Sequence, residues 1–165
     1  QEICEKLKND EDFLDNCVDE YLFNIFEFFA LAVKMSDDEL FKEVIKEEYF
    51  GRKPVLYEML SKATNLAKFE NFLDEILNFY AENIFDDFLF KVDGDENRIL
   101  HYFAANCRNT KIFECFWVKI KEFSNDDGKL KKFLLANGFK KKNALLHSIE
   151  CKNEISFPSF AFSQL

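Results

Sequence analysis

The sequence predicts an all-α chain of stacked helical repeats, and three observations carry that prediction. Four glycines and two prolines in 165 residues leave too few turn formers for the many short strands of an all-β fold. Apolar residues recur at i, i+3, i+4 and i+7, the spacing of an amphipathic helix with one wide buried face. The segment from Asn65 to Phe79 also returns 44 residues later, from Asn109 to Phe123, and self-similarity at such a period marks a repeat architecture.

The long-helix element comes first. Phe69, Glu70, Phe72, Ile76 and Phe79 align with Phe113, Glu114, Phe116, Ile120 and Phe123, giving F-E-x-F-x-x-x-I-x-x-F in both copies. Leu73 and Trp117 share the i+4 position, so Trp117 is expected in the core rather than on a ligand. A third copy is expected to begin at Phe26, Glu27 and Phe29.

A short element precedes each long helix: Lys53-Pro54-Val55-Leu56-Tyr57, Asn97-Arg98-Ile99-Leu100-His101 and Asn143-Ala144-Leu145-Leu146-His147. Leu56, Leu100 and Leu146 are spaced 44 and 46 residues apart. Gly51, Gly94 and Gly138 stand ahead of these elements, where a glycine is expected to end the preceding segment or to take positive φ. A second short apolar piece follows the long helix, as Phe88-Leu89-Phe90 and then Phe133-Leu134-Leu135. Each unit therefore reads as short helix, long helix, short helix, loop. The whole chain, 1–165, is one repeat domain with a degenerate N-terminal cap or repeat over 1–50, units over 51–93 and 94–137, and a partial C-terminal unit over 138–165.

The stretch from Asp93 to Ala105 resembles the turn and first helix of an ankyrin repeat, with Arg98-Ile99-Leu100-His101 where that family has T-P-L-H, and Ala144-Leu145-Leu146-His147 as a second copy. The Thr and Pro of the tetrapeptide are absent, and the unit is about 11 residues longer than the usual 33. The resemblance implies an ankyrin-like α-solenoid with enlarged units. It also implies that His101 and His147 bond turn backbone groups, that Leu56, Leu100 and Leu146 pack between helices, and that a protein partner docks on the loops and inner-helix faces. The contact residues expected on that basis are Asp95, Glu96, Arg98, Tyr102, Lys140 and Lys141.

Composition narrows the alternatives. At 48% hydrophobic and 32% charged the chain falls in the soluble globular class. Its densest apolar run, Ile25 to Val33, falls far short of the roughly 20 residues a membrane-spanning helix requires. No signal peptide is visible, and a chain that begins at Gln1 is expected to be a fragment or processed product. Cys4, Cys17, Cys107, Cys115 and Cys151 show no C-x-x-C pair, which predicts reduced thiols and a cytoplasmic setting. The net charge of −9 argues against nucleic acid despite the run Lys140-Lys141-Lys142.

That charge is uneven: residues 1–50 carry 15 acidic and 5 basic side chains, residues 101–165 carry 6 and 11. Head-to-tail self-association of a structural solenoid is therefore one alternative function. A helical carrier that holds an apolar ligand among its 22 phenylalanines is another. Neither an enzyme, a metal site nor a cofactor is expected. The two histidines occupy equivalent repeat positions, and His101 and Cys107 fall on different sides of one helix. Asp93, Asp95 and Asn97 fail as a calcium loop, because Arg98 and Ala104 occupy the positions that require Gly and Glu. The pairs Asp37-Asp38 and Asp86-Asp87 precede apolar segments and suit the positive ends of helix dipoles.

Overall fold

The computed structural model describes residues 35, 48–49, 53–124 and 126–150. Most of the unit over 1–50, with the long-helix copy expected at Phe26, lies outside the described residues, as do Asp37, Asp38, Cys4, Cys17, Cys151 and everything after 150.

The described chain is helical apart from one pair of two-residue strands, β1 (Glu48–Tyr49) and β2 (Lys53–Pro54), which pair antiparallel with Tyr49 opposite Lys53. Six α-helices follow: α1 (Val55–Ser61), α2 (Leu66–Tyr80), α3 (Ile99–Asn106), α4 (Thr110–Ser124), α5 (Asp127–Leu135) and α6 (Ala144–Glu150). A 3₁₀ turn (Ala81–Asn83) and a π-helical segment (Ile84–Leu89) follow α2, and a second 3₁₀ turn (Phe139–Lys141) precedes α6. Asp86 and Asp87 lie in the first turn of the π-helical segment.

Side-chain oxygens start the helices, because the first backbone N–H groups of a helix have no partner within it. Asn65 Oδ1 accepts from the Lys68 N–H and Asp126 Oδ1 from the Lys129 N–H. Asn109 Oδ1 accepts from the Lys111 N–H and Asn143 Oδ1 from the Leu146 N–H.

The short helices pack in order, α1 on α3 and α3 on α6, while the long helices α2 and α4 pack on each other. The repeated motif accounts for this, since Phe69, Phe72, Leu73 and Ile76 of α2 and Phe113, Phe116, Trp117 and Ile120 of α4 are all buried. Phe103 of α3 joins the two rows, with its ring 6.3 Å from Phe69 and 4.5 Å from Phe116. At the far end of the motif burial fades: Phe79 is partly covered and Phe123 is exposed. Outside the core, Lys119 Nζ reaches Asp74 Oδ1 at 2.7 Å and Glu70 at 3.3 Å, an ion-paired tie between α4 and α2.

Two expectations need correction. Leu56 and Leu100 are buried, but Leu146 is 51% exposed, because no described element packs on that side of α6 as α6 packs on α3. Positive φ falls on Glu96, Lys140 and Lys141, and not on Gly138, whose φ is −119°. Gly138 answers to space instead: a Cβ there would stand 2.6 Å from His101 Nε2 and 2.8 Å from Asn97 Oδ1.

Candidate functional site

The connections into α3 and α6 share one backbone design. In the first, the Asp93 N–H donates to the Asn97 carbonyl and the Glu96 N–H to the Asp93 carbonyl; in the second, Gly138 donates to Lys142 and Lys141 to Gly138. Glu96 and Lys141, 45 residues apart, both have positive φ, at 64° and 58°. The turns stand side by side, since the Phe139 N–H donates to Asn97 Oδ1 at 3.1 Å.

Beneath the first turn an open groove of about 260 Å³ runs along α3, bounded by α1 and α6. Glu58 comes from α1; His101, Tyr102, Ala105 and Asn106 from α3; His147 from α6; and Asp93, Asp95 and Asn97 from the turn. Its lining is polar, with three carboxylates facing two imidazoles.

Asp93 organises the turn. Its Oδ1 accepts from the Asp95 and Asn97 N–H groups, both at 2.8 Å, and its Oδ2 accepts from the Tyr102 hydroxyl at 2.6 Å. An Asx side chain that bonds backbone two and four residues on is a turn former, so the acidic cluster folds the loop. Burial first, and then the bond to Asp93, pushes the Tyr102 hydroxyl pKa far above its ordinary value. On the opposite wall Asn106 Nδ2 donates to Ser61 Oγ at 3.1 Å and to Glu58 Oε2 at 3.4 Å, tying α3 to α1.

His101 ties the start of α3 to the turn 138–142. It is the third residue of α3, where a Glu or Gln commonly reaches back to the N-cap N–H, and here Nδ1 accepts that bond from the Arg98 N–H at 3.2 Å. A nitrogen that accepts carries no hydrogen, so the proton sits on Nε2, 3.0 Å from the Lys142 carbonyl to which it donates. Burial lowers the His101 pKa from its ordinary value, against the opposing pull of the bond to Lys142. The Arg98 guanidinium adds a second link by donating from Nη1 to the Asn137 carbonyl. At the equivalent position one unit earlier, the Tyr57 hydroxyl donates to the carbonyls of Phe88 and Lys91, again reaching forward into the next connection.

His147 departs from the expectation. Its ring makes no hydrogen bond among the described residues and stands edge-on to His101, with the centroids 6.0 Å apart. The backbone-bonding role expected of both histidines is observed for His101 alone.

The expected contact residues divide. Asp95, Glu96, Lys140 and Lys141 are exposed on the two neighbouring turns, and Asp95 also lines the groove. Lys140 Nζ lies over the Phe139 ring, 5.1 Å from its centroid. Arg98 is half-buried in the joint between units. Tyr102 is a correction: it is 6% exposed and its hydroxyl is spent on Asp93, so it supports the turn from below. Glu58, Asn106 and His147 line the groove although they were not among the expected contacts. Glu58 and Tyr102 lie one repeat apart, which is the signal that could have drawn Glu58 into the expected set.

No group of three or more His, Cys, Asp or Glu side chains among the described residues is arranged to hold a metal ion. No described helix is long and apolar enough to cross a membrane. Cys107 is buried and Cys115 half-buried, and burial raises both thiols. No family model, curated protein or solved structure matches the chain.

Proposed function

We propose that the chain is a protein-interaction module of enlarged ankyrin-like repeats, binding a protein partner through the turns 93–97 and 138–142 and the groove along α3. One observation carries this reading: two turns of the same backbone design, bonded side by side, present Asp95, Glu96, Lys140 and Lys141 to solvent over a polar groove. A scaffold of regular helices that fixes exposed loops is the usual arrangement for recognition. The polar lining of the groove weighs against the carrier of an apolar ligand. The phenylalanine rings of the described core meet one another, as Phe103 meets Phe113 and Phe116.

The test uses immobilised wild type and the Asp95→Lys/Glu96→Lys double variant, matched for melting temperature, against a native extract. A partner retained by the wild type and lost from the variant supports the reading. Equal capture by both removes these turns from the contact. A second reading, head-to-tail self-association, is favoured by Leu146 and Ile149, which are 51% and 58% exposed on α6 near Lys140 and Lys141. Sedimentation from roughly 0.02 to 0.5 M salt tests it, because association steered by charge weakens as the Debye length shortens.

A further inference from the structure

We infer that the joint between α3 and the last turn is a proton-operated clip: protonation of His101 releases turn 138–142 and α6 from α3 while the rest of the helical stack stays folded.

The geometry requires a neutral ring. Nδ1 is an acceptor for the Arg98 N–H and Nε2 a donor to the Lys142 carbonyl, so both nitrogens are committed. A proton added at Nδ1 would point at the Arg98 N–H, and that bond is lost together with the cap it provides. On the Gly138 side the ring has no room to swing aside, because Gly138 lies against it so closely that even a methyl group would overlap it. His147 of α6 stands 6.0 Å away, so a charge on one imidazole opposes a charge on the other. These contacts, with Arg98 to Asn137 and Asn97 to Phe139, link α3 and its turn to the segment 137–142 among the described residues.

The charged neighbours sit on every surrounding element. Arg98 is the N-cap of α3, Lys140, Lys141 and Lys142 are on the turn 138–142, and His147 and Glu150 are on α6. Glu58 is on α1, and Asp93, Asp95 and Glu96 are on the first turn. Carboxylates favour a charged ring, but Glu58 is engaged by Asn106 and Lys62, and Asp93 by Tyr102 and two backbone N–H groups. Glu150 is held by Lys142. Burial prevails, and the pKa values of His101 and His147 are both lowered. The sign follows. A ring that binds its proton more weakly in the closed form than in the open form stabilises the joint fully above the open-form pKa, near 6.5, and loses that contribution as pH falls toward the closed-form value. Since His101 and His147 both wall the groove, release reshapes it. The clip itself does not depend on what the groove binds.

Amide hydrogen exchange, corrected for intrinsic rates, reads the joint directly without a partner. Peptides spanning 137–150 should lose protection by up to about tenfold per pH unit below roughly 6.5, while peptides from α2 and α4 hold theirs. In His101→Gln, which keeps an acceptor and a donor but does not titrate, the loss should shrink to the part His147 contributes, and in His101→Gln/His147→Gln the profile should be flat. A flat profile in the wild type, an equal loss in α2 and α4, or the same loss in His101→Gln would each overturn the clip. Imidazole ¹⁵N shifts of the unmodified chain give a second readout should the variant not fold. The Nε2–H tautomer at pH 7.5 and proton uptake coincident with lost protection support the proposal, and uptake at full protection refutes it.

Discussion

Adding a single methyl group at position 138 probes the joint between units. A Cβ on Gly138 would lie 2.6 Å from His101 Nε2, 2.9 Å from His101 Cδ2 and 2.8 Å from Asn97 Oδ1, all inside van der Waals contact. Relief requires the imidazole or the turn to move, and either motion strains the bonds from His101 to the Lys142 carbonyl and from the Phe139 N–H to Asn97. Overpacking of this kind destabilises by roughly 1–3 kcal/mol. Each weakened hydrogen bond adds about 0.5–1.5 kcal/mol. Against this, Gly→Ala stiffens the unfolded chain by about 0.4–1 kcal/mol where the backbone suits alanine. The net expectation for Gly138→Ala is a loss of about 1–5 kcal/mol, or about 2–20 °C in melting temperature for a chain of this size. Urea denaturation followed by circular dichroism would measure it. In a His101→Ala background two of the three clashes are gone and only Asn97 remains, so the cycle should show coupling of at least about 1 kcal/mol. A Gly138→Ala chain as stable as the wild type, or additivity within about 0.5 kcal/mol, would refute the close contact.

Three further outcomes follow from burial and bonding. Phe103→Ala removes the ring between the two long-helix rows and should destabilise by about 3–5 kcal/mol, read from denaturant midpoints. Tyr102→Phe takes the hydroxyl from Asp93 Oδ2 and should destabilise by about 1–3 kcal/mol, with exchange increased first at the amides of Asp95 and Asn97. Leu100→Ala should lower stability by about 2–5 kcal/mol. Its repeat counterpart Leu146→Ala should stay within about 0.5 kcal/mol of the wild type, and thermal unfolding of the pair reads the contrast.

Helical period was legible because it depends on spacing alone. Phe69, Phe72 and Ile76 declare a buried face, and their recurrence as Phe113, Phe116 and Ile120 declares that two such faces meet. The Leu-His pair likewise marked a helix start twice. What spacing does not report is the neighbour on the other side. Leu100 and Leu146 occupy the same repeat position, yet among the described residues one has a helix on each side and the other on one side only, a difference that spacing does not carry. Tyr102 misled for a related reason: close to the acidic residues Asp93, Asp95 and Glu96 it reads as surface, until Asp93 turns inward to accept a hydrogen bond from its hydroxyl. Gly138 was noticed for the wrong property, since a glycine ahead of a helix suggests φ, whereas here the constraint is a ring belonging to the preceding unit.

The forward-reaching side chains make the joint indifferent to much of the sequence it joins. Tyr57 and His101 both address main-chain carbonyls, and Arg98 does the same at Asn137. Every residue except proline offers the same N–H and C=O, so apart from the glycine at 138 and the positive φ at 140 and 141, which disfavours β-branched residues, the receiving turn can exchange its side chains without loosening the attachment. A protein fastened in this way can rewrite the residues it shows to solvent at 139–141 while its units stay in register. Two units can therefore drift apart in sequence, keeping little more than an aromatic stripe and one reaching side chain, and still stack.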